Sequence, residues 1–387
     1  MFATLASFSS LFTSTLVMLL GVGLFNVYMG LKLSADGVSE VWIGALLSAY
    51  YFGLVIGGRV GHLMIVRVGH VRAFAAAAAA CSVMVLTQTL IDHMTVWLLL
   101  RAVAGAAMAV QLIMIESWLN EQIENQNRGR VFSFYLVMSG LGTAIGQMAI
   151  MMYPTLDLRP LTLVAICHVV GLIPIVWTVR LHPAPQLPAP IDFGFFFKVA
   201  PAALITLFLS GNISAAFYAL APVYVVGLEF STNEVALFMS TAVGAGLLAQ
   251  WPIGWLSDRV GRERLIQING IVLAVITVIL WGWLTVPYWL LLAVAAISGV
   301  VQFTLYPLAG SYANDLVSSQ RRVSLSAVLV ISYAVGACLG PLICGYIMRA
   351  AGVNMFYVFM TGCSLLLVLN TVISGKLNAR ASRQPSG

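Results

Sequence analysis

The chain has 387 residues, of which 61% are hydrophobic and 8% are charged, and its formal net charge is +6. Roughly a quarter of the residues of a soluble protein are charged, and disordered chains contain few apolar residues. This composition therefore excludes both classes. A lipid bilayer is the solvent that fits it.

Long apolar stretches follow one another along the whole chain. A helix needs roughly 20 apolar residues to cross a bilayer. Twelve stretches qualify, and the sequence therefore predicts an all-α integral membrane protein with twelve transmembrane helices. In chain order, spans 1 to 12 are predicted at 9–32, 41–66, 73–91, 94–117, 131–152, 161–180, 200–225, 235–257, 265–286, 288–313, 323–349 and 354–375.

The connection between spans 6 and 7 is the longest in the chain. Residues 181–198 contain Pro183, Pro185, Pro188 and Pro190. A stretch with this proline spacing is not helical throughout, and it is typical of a semi-rigid linker. It separates a predicted N-terminal bundle, 1–180, from a predicted C-terminal bundle with a short tail, 199–387.

The basic residues are distributed unevenly over the predicted connections. If the N-terminus is cytoplasmic, fourteen Lys and Arg lie in segments on that side and three lie on the opposite side. Such a bias predicts that both termini and the linker are cytoplasmic. It also agrees with an even number of spans.

The two predicted bundles repeat each other weakly. Arg67-Val68-Gly69 recurs as Arg259-Val260-Gly261 at an offset of 192 residues, and the glycines of Gly142-x-x-x-Gly146 recur at Gly336 and Gly340. Two similar halves in one membrane chain predict two pseudo-symmetric six-helix bundles with a site between them.

Three sequence elements resemble those of the major facilitator superfamily. The loop after span 8, Gly254-Trp-Leu-Ser-Asp258-Arg259-Val-Gly261-Arg262, is similar to the superfamily pattern Gly-x-x-x-Asp-Arg-x-Gly-Arg. Span 4 contains Arg101-x-x-x-Gly105 and span 11 contains Gly336-x-x-x-Gly340-Pro341. The resemblance covers nearly the whole chain. It implies the facilitator fold, transport by alternating access, and a cytoplasmic latch formed by Asp258, Arg259, Gly261 and Arg262.

The first half departs from this loop pattern. Val66 stands at its acidic position and His62 at its first glycine. The resemblance therefore implies a charge-paired latch in the second half only.

A narrower resemblance concerns the YcaD-like branch of bacterial facilitators. Glu116-Ser-Trp-Leu-Asn120, Asn127-Arg-Gly-Arg130, Gln250-Trp-Pro-Ile-Gly254 and Phe303-Thr-Leu-Tyr306-Pro307 are similar to that branch. This resemblance implies a multi-pass protein of the bacterial cytoplasmic (inner) membrane. It implies no defined substrate.

Charged and titratable side chains inside the spans are costly and are therefore functional candidates. Arg101 contacts an anion or takes part in proton coupling, or else pairs with polar neighbours. Glu116 carries protons, or else forms a salt bridge with Arg128 or Arg130. His62 senses protons, or else fills the space of a glycine, and His168 supports the bundle. Arg101 and Glu116 are too far apart on one helix, at about 22 Å, to touch each other.

Neutral polar and aromatic side chains complete the candidate cavity. Unpaired amides are costly in lipid, so each faces either a cavity or another helix. Tyr and Trp side chains would give an amphipathic wall that suits a moderately apolar organic solute. These candidates are Asn26, Tyr50, Gln111, Tyr135, Gln147, Asn212, Tyr218, Gln250, Trp251, Gln302, Tyr306 and Tyr333.

Other classes of function find little support in the sequence. A phosphate-binding loop and a metal-ligand spacing are both missing from it, so no enzyme activity, cofactor, metal or nucleic acid is expected. The prediction is a monomeric, proton-coupled secondary transporter of a small organic solute, with export favoured over import by analogy. Three alternatives remain: an importer of an organic anion anchored by Arg101, a lipid translocator, and a non-transporting membrane sensor or scaffold.

Overall fold

The structure is a computed structural model that describes residues 8–123, 128–177, 192–318 and 321–381. Over these residues the chain forms thirteen α-helices and one 3₁₀ turn. The α-helices are α1 Ser9–Ala35, α2 Glu40–Val68, α3 His70–Thr87, α4 Met94–Gln122, α5 Arg128–Ala149, α6 Arg159–Val176, α7 Phe193–Val199, α8 Pro201–Gly227, α9 Thr232–Val260, α10 Arg262–Val278, α11 Tyr288–Asp315, α12 Arg322–Ala351 and α13 Met355–Ala381.

Each of the twelve predicted spans corresponds to one long helix. Eleven of these helices are long and apolar enough to cross a membrane, and the remaining one, α10, has 17 residues. The predicted span 265–286 is wrong at its end, because α10 stops at Val278. Gly282 there adopts the left-handed φ of +93°, and the rings of Trp281 and Trp283 stack at 5.3 Å, so the chain turns instead of continuing the helix.

Most of the predicted linker lies outside the described residues. At the end of that range the chain forms the short helix α7. The Asp192 carboxylate accepts a hydrogen bond from the Phe195 backbone N–H at 3.0 Å and so caps α7. The guanidinium of Arg321, next to α12, lies 4.0 Å from the Phe195 ring and 3.8 Å from Asp192. The division into two domains stays a prediction.

Glycines let the helices approach to backbone contact, in the same way in both halves. A Cβ at Gly142 or Gly146 of α5 would overlap the backbone of α1, and a Cβ at Gly336 or Gly340 of α12 would overlap the backbone of α8. These are the glycines that the sequence repeat relates. The repeat therefore encodes one helix contact used twice, α5 on α1 and α12 on α8.

The α2–α4 contact gives a test of this packing. A Cβ at Gly53 would overlap the Ala102 carbonyl, whereas a Cβ at Gly58, on the same helix, meets no atom within 4 Å. We expect Gly53→Ala to lower the free energy of unfolding by about 3 kcal/mol. Gly58→Ala is expected to leave it unchanged or raise it by about 0.5–1 kcal/mol, because alanine favours helix. Unfolding in detergent micelles measures both, and equal stability of the two variants would contradict the packing argument.

The two halves of the chain meet most closely at one end of the structure. We call this end the far end; α1 and α8 finish there. We call the opposite end the linker end; α6 finishes there and α7 begins there. A Cβ at Gly44 of α2 would overlap the Pro341 carbonyl of α12, and a Cβ at Gly345 of α12 would meet the Glu40 carbonyl of α2. Gly30 of α1 packs on the ring of Pro222 of α8. The far end is therefore closed by tight contacts at glycines.

Candidate functional site

Half-buried tyrosines from both halves come together midway along the helices. Tyr51 of α2, Tyr218 of α8 and Tyr333 of α12 lie close enough to one another to interact electrostatically. The ring of Tyr306 on α11 meets the ring of Tyr333 edge-on, with centroids 5.2 Å apart. We call this region the tyrosine crevice. Both halves contribute to its wall, as expected of a site at their boundary.

Glu116 lies at the linker end of this crevice. Its Oε1 accepts a hydrogen bond from the Tyr135 hydroxyl of α5 at 3.2 Å. Tyr306 of α11, 37% exposed, is close enough to interact with it electrostatically across the boundary between the halves. The Glu116 side chain is itself exposed, and it forms no salt bridge with another described side chain. Glu116 therefore lies between Tyr135 of its own half and Tyr306 of the other half. The side chain of Arg128 lies outside the described part of the chain.

Arg101 lies in a separate pocket inside the N-terminal half. Its side chain is 5% exposed, and its guanidinium carbon lies 4.2 Å from the Phe25 ring centroid and 4.5 Å from the Tyr50 ring centroid. This Arg101 pocket is lined by Val22, Phe25, Asn26, Tyr50, Cys81, Val85, Arg101, Ala104, Met108, Val164 and His168. His168 of α6 is also 5% exposed, although the sequence predicted only a supporting role for it.

A second pocket connects the Arg101 pocket to the other half. Phe25, Asn26 and Arg101 line both pockets, and the second one extends to Tyr218 and Ala219 of α8. The Arg101 side chain therefore stands between the interior of the N-terminal half and the boundary of the two halves.

The predicted amides have different surroundings. The Gln111 amide nitrogen donates to Cys81 Sγ at 3.2 Å, and the Asn212 amide nitrogen donates to the Phe208 carbonyl of its own helix at 2.9 Å. Gln302 is fully buried, and neither polar atom of its amide has a hydrogen-bond partner among the described residues. The same is true of Gln147, the further amide candidate on α5. Asn26 lines both the Arg101 pocket and the second pocket.

Trp251 lies on an exposed face of α9. It is 81% exposed and shares one face of α9 with the exposed Leu248 and Trp255. Residues 248, 251 and 255 repeat with helical spacing, so this apolar face is of the type that contacts lipid. The assignment of Trp251 to the cavity wall stays a prediction. Gln250 beside it is half-buried.

The predicted latch residues form a cluster within the C-terminal half. Gly261, with φ +93°, makes the turn between α9 and α10. Arg262 then binds Asp258 of α9 at 3.4 Å and also binds Asp315 at the end of α11. The Arg259 guanidinium lies 3.8 Å from the Trp255 ring. In this structure these contacts tie α9, α10 and α11 together rather than joining the two halves.

His62 lies apart from both pockets. It is half-buried on α2, about 18 Å along the helix from Tyr50 toward the linker end. The residues that sequence reasoning missed are Tyr51, Phe25 and Asp315. Tyr51 follows Tyr50 directly and Phe25 precedes Asn26, so each stood next to a named candidate.

Comparisons with known proteins agree with this geometry. The sequence profile of the Major Facilitator Superfamily matches residues 11–286 and 230–386. A protein of Escherichia fergusonii named "Uncharacterized MFS-type transporter YcaD" is 25% identical over 377 residues, which cover 97% of this chain and 96% of that protein. The protein of the same name from Escherichia coli is 27% identical over 365 residues, or 93% of each chain.

Two solved structures share the fold at low sequence identity. The nucleoside transporter NupG has a TM-score of 0.81 and 12% identity, covering 95% of this chain and 98% of its own. A bacterial homologue of the human lysosomal transporter Spinster, in an inward-facing and occupied conformation, has a TM-score of 0.75 and 14% identity, covering 98% and 96%. At this identity the likeness shows the fold alone.

Proposed function

Because the chain belongs to the Major Facilitator Superfamily and is a multi-pass membrane transporter rather than an enzyme, we propose that it is a proton-coupled secondary transporter of a small organic solute. The observation that carries this proposal is the tyrosine crevice between the halves, closed at the far end and bordered by Glu116 at the linker end. Such a site is accessible from one side of the membrane at a time.

The difference between the two ends supports alternating access. Tight contacts at Gly44, Gly345 and Gly30 close the far end, while Glu116 and Tyr306 are exposed at the linker end. We propose that the protein lies in a bacterial inner membrane with both termini on the cytoplasmic side. In this orientation the linker end is cytoplasmic and the crevice opens inward. The related Spinster homologue is described in an inward-facing conformation as well. Rocking of residues 1–180 against 199–387 would reverse the access.

The side chains of the crevice favour a solute with an apolar body. Tyr51, Tyr218, Tyr306 and Tyr333 offer rings and hydroxyl groups, and Glu116 is the acidic side chain that borders them. Aromatic walls with few polar groups are typical of sites for moderately apolar organic molecules. We propose a monomer as the transporting unit and export as its direction.

The proposal is tested in proteoliposomes that enclose a pH-sensitive dye. We expect a transported compound, found by screening aromatic acids, amines and neutral metabolites, to move protons across the membrane together with itself. Reversing the imposed pH gradient reports the direction. In the same vesicles a fluorescent phospholipid tests for lipid translocation. Lipid flipping without any solute-dependent proton flux would contradict the proposal.

A further inference from the structure

The charge of Arg101 lacks a carboxylate partner in the described structure. Arg159 is bound by Asp157 at 2.6 Å and Arg262 is bound by Asp258 and Asp315, whereas no salt bridge reaches Arg101 from a described residue. The acidic residue on the same helix, Glu116, is about 22 Å away. Arg101 is nevertheless 5% exposed, in the middle of five packed helices.

The aromatic contacts of Arg101 leave its hydrogen-bonding edge unused. Phe25 and Tyr50 place their rings near the guanidinium carbon, at 4.2 and 4.5 Å, and such contacts use the faces of the cation and the ring. A guanidinium carries five N–H donors in one plane, arranged to grip a carboxylate with two hydrogen bonds. A buried charge without a partner costs several kcal/mol, so a bound anion would relieve this cost.

The remainder of the pocket also suits an anion. The Nδ1 atom of His168 is buried without a hydrogen-bond partner in the described part of the chain, and Asn26 adds a half-buried amide. The described residues that line the pocket include no Asp or Glu. In this conformation each of the two pockets has a cavity volume of about 20 Å³, which is room for one water molecule, so a larger anion needs the surrounding helices to separate.

The second pocket shows where the rest of such a ligand would lie. It shares Arg101, Phe25 and Asn26 with the first, and its further lining consists of Met29, Gly30, Leu33, Ile43, Leu46, Leu47, Tyr218 and Ala219. Apart from the Tyr218 hydroxyl, these side chains are apolar. A ligand that reaches from Arg101 along these side chains would have one anionic group and an apolar body.

We propose that the Arg101 pocket binds the anionic head group, a carboxylate or similar monoanion, of the transported solute. The binding step stands on the pocket itself, and only the transport of the bound anion rests on the function proposed above. A phospholipid phosphate carries the same charge, but the pocket is enclosed by α1, α2, α3, α4 and α6, so we assign the anion to a solute.

The test is calorimetric binding at fixed neutral pH to the purified full chain in detergent, with two monoanions, benzoate and hexanoate, and their neutral amides. We expect saturable binding of at least one anion and binding of its amide that is about 10-fold weaker or worse. Arg101→Gln is expected to lose the anion, and Arg101→Lys, which keeps the charge without the fork, to bind it about 10-fold more weakly. Arg59→Gln, an exposed arginine of α2, is the matched control and is expected to bind like wild type.

The melting temperature of the ligand-free protein separates this role from a structural one. Removal of an uncompensated buried charge is expected to raise it in Arg101→Gln, whereas removal of a structurally paired arginine would lower it. A lowered melting temperature, equal binding of anion and amide, unchanged anion binding by Arg101→Gln, or no anion binding by wild type would each overturn the proposal.

Two further arms distinguish the lipid source and the transport function. In nanodiscs, competition by phosphatidylglycerol but not phosphatidylcholine that requires Arg101 would assign the pocket to a lipid phosphate and overturn the solute. Proton-coupled transport of a neutral compound by Arg101→Gln would leave the transport proposal standing without the anion site. Arg101-dependent anion binding without any flux in proteoliposomes would leave the anion site standing without the transport proposal.

Discussion

Replacement of Glu116 by glutamine is expected to abolish proton-driven accumulation of the solute while solute exchange continues. Glutamine has the shape of glutamate but does not exchange a proton, so only the coupling step is removed. The amide oxygen still accepts the hydrogen bond from the Tyr135 hydroxyl, which now lies 3.2 Å from the carboxylate. We expect the accumulation rate driven by a pH gradient to fall by about 100-fold or more.

The measurement compares two assays on the same proteoliposomes. Uptake driven by an imposed pH gradient reports coupling, and counterflow of labelled against unlabelled solute reports the conformational cycle alone. The titratable groups that face Glu116 are Tyr135 from α5 and Tyr306 from α11. Tyr135→Phe keeps the carboxyl group and removes its hydrogen bond, so it is the control that retains coupling with a shifted pH profile. Undiminished gradient-driven uptake by Glu116→Gln would exclude this residue as the proton carrier.

The sequence alone left two interpretations of Glu116 open, a proton carrier and a salt bridge. The position of a residue along a helix sets its depth, but the direction of its side chain depends on which helices surround it. Tyr306 comes from α11, nearly two hundred residues away in the chain, and no local pattern links it to Glu116. The fold was more accessible, because apolar length and repeated glycines are local properties of the chain, and the superfamily assignment is confirmed.

The site residues are harder to predict from the sequence than the fold, and the reason is physical. Side chains at neighbouring positions of a helix point about 100° apart, so Tyr50 and Tyr51 face different surroundings. In a soluble helix the polar face would show which of them points inward, but a membrane helix is apolar all round and gives no such signal. For this reason the sequence named Tyr50 but not Tyr51, and it did not show that Trp251 is exposed or that His168 lines the Arg101 pocket.

Replacement of Gly44 by leucine is expected to abolish transport without unfolding the protein. Gly44 of α2 touches the backbone of α12 at Pro341, which belongs to the other half of the chain. A leucine side chain does not fit this seam, so the halves are held apart at the far end. The contacts within each half are not affected. These include the contact of Gly53 of α2 with α4 and the contact of Gly336 of α12 with α8. The substitution therefore destabilises only the conformation in which the far end is closed.

The trapped conformation is detected with a cysteine in the seam. Ser48 lies one helical turn from Gly44 and is 5% exposed, so Ser48→Cys, with the five native cysteines replaced by alanine, is expected to resist a membrane-impermeant maleimide. Adding Gly44→Leu should make it react at least about 10-fold faster, because the far end stays open. Gly58→Leu is the matched control on the same helix, since a side chain there meets open space. If Gly44→Leu still transports and Ser48→Cys stays protected, the far-end seam tolerates a side chain and the closed gate must lie elsewhere between the halves.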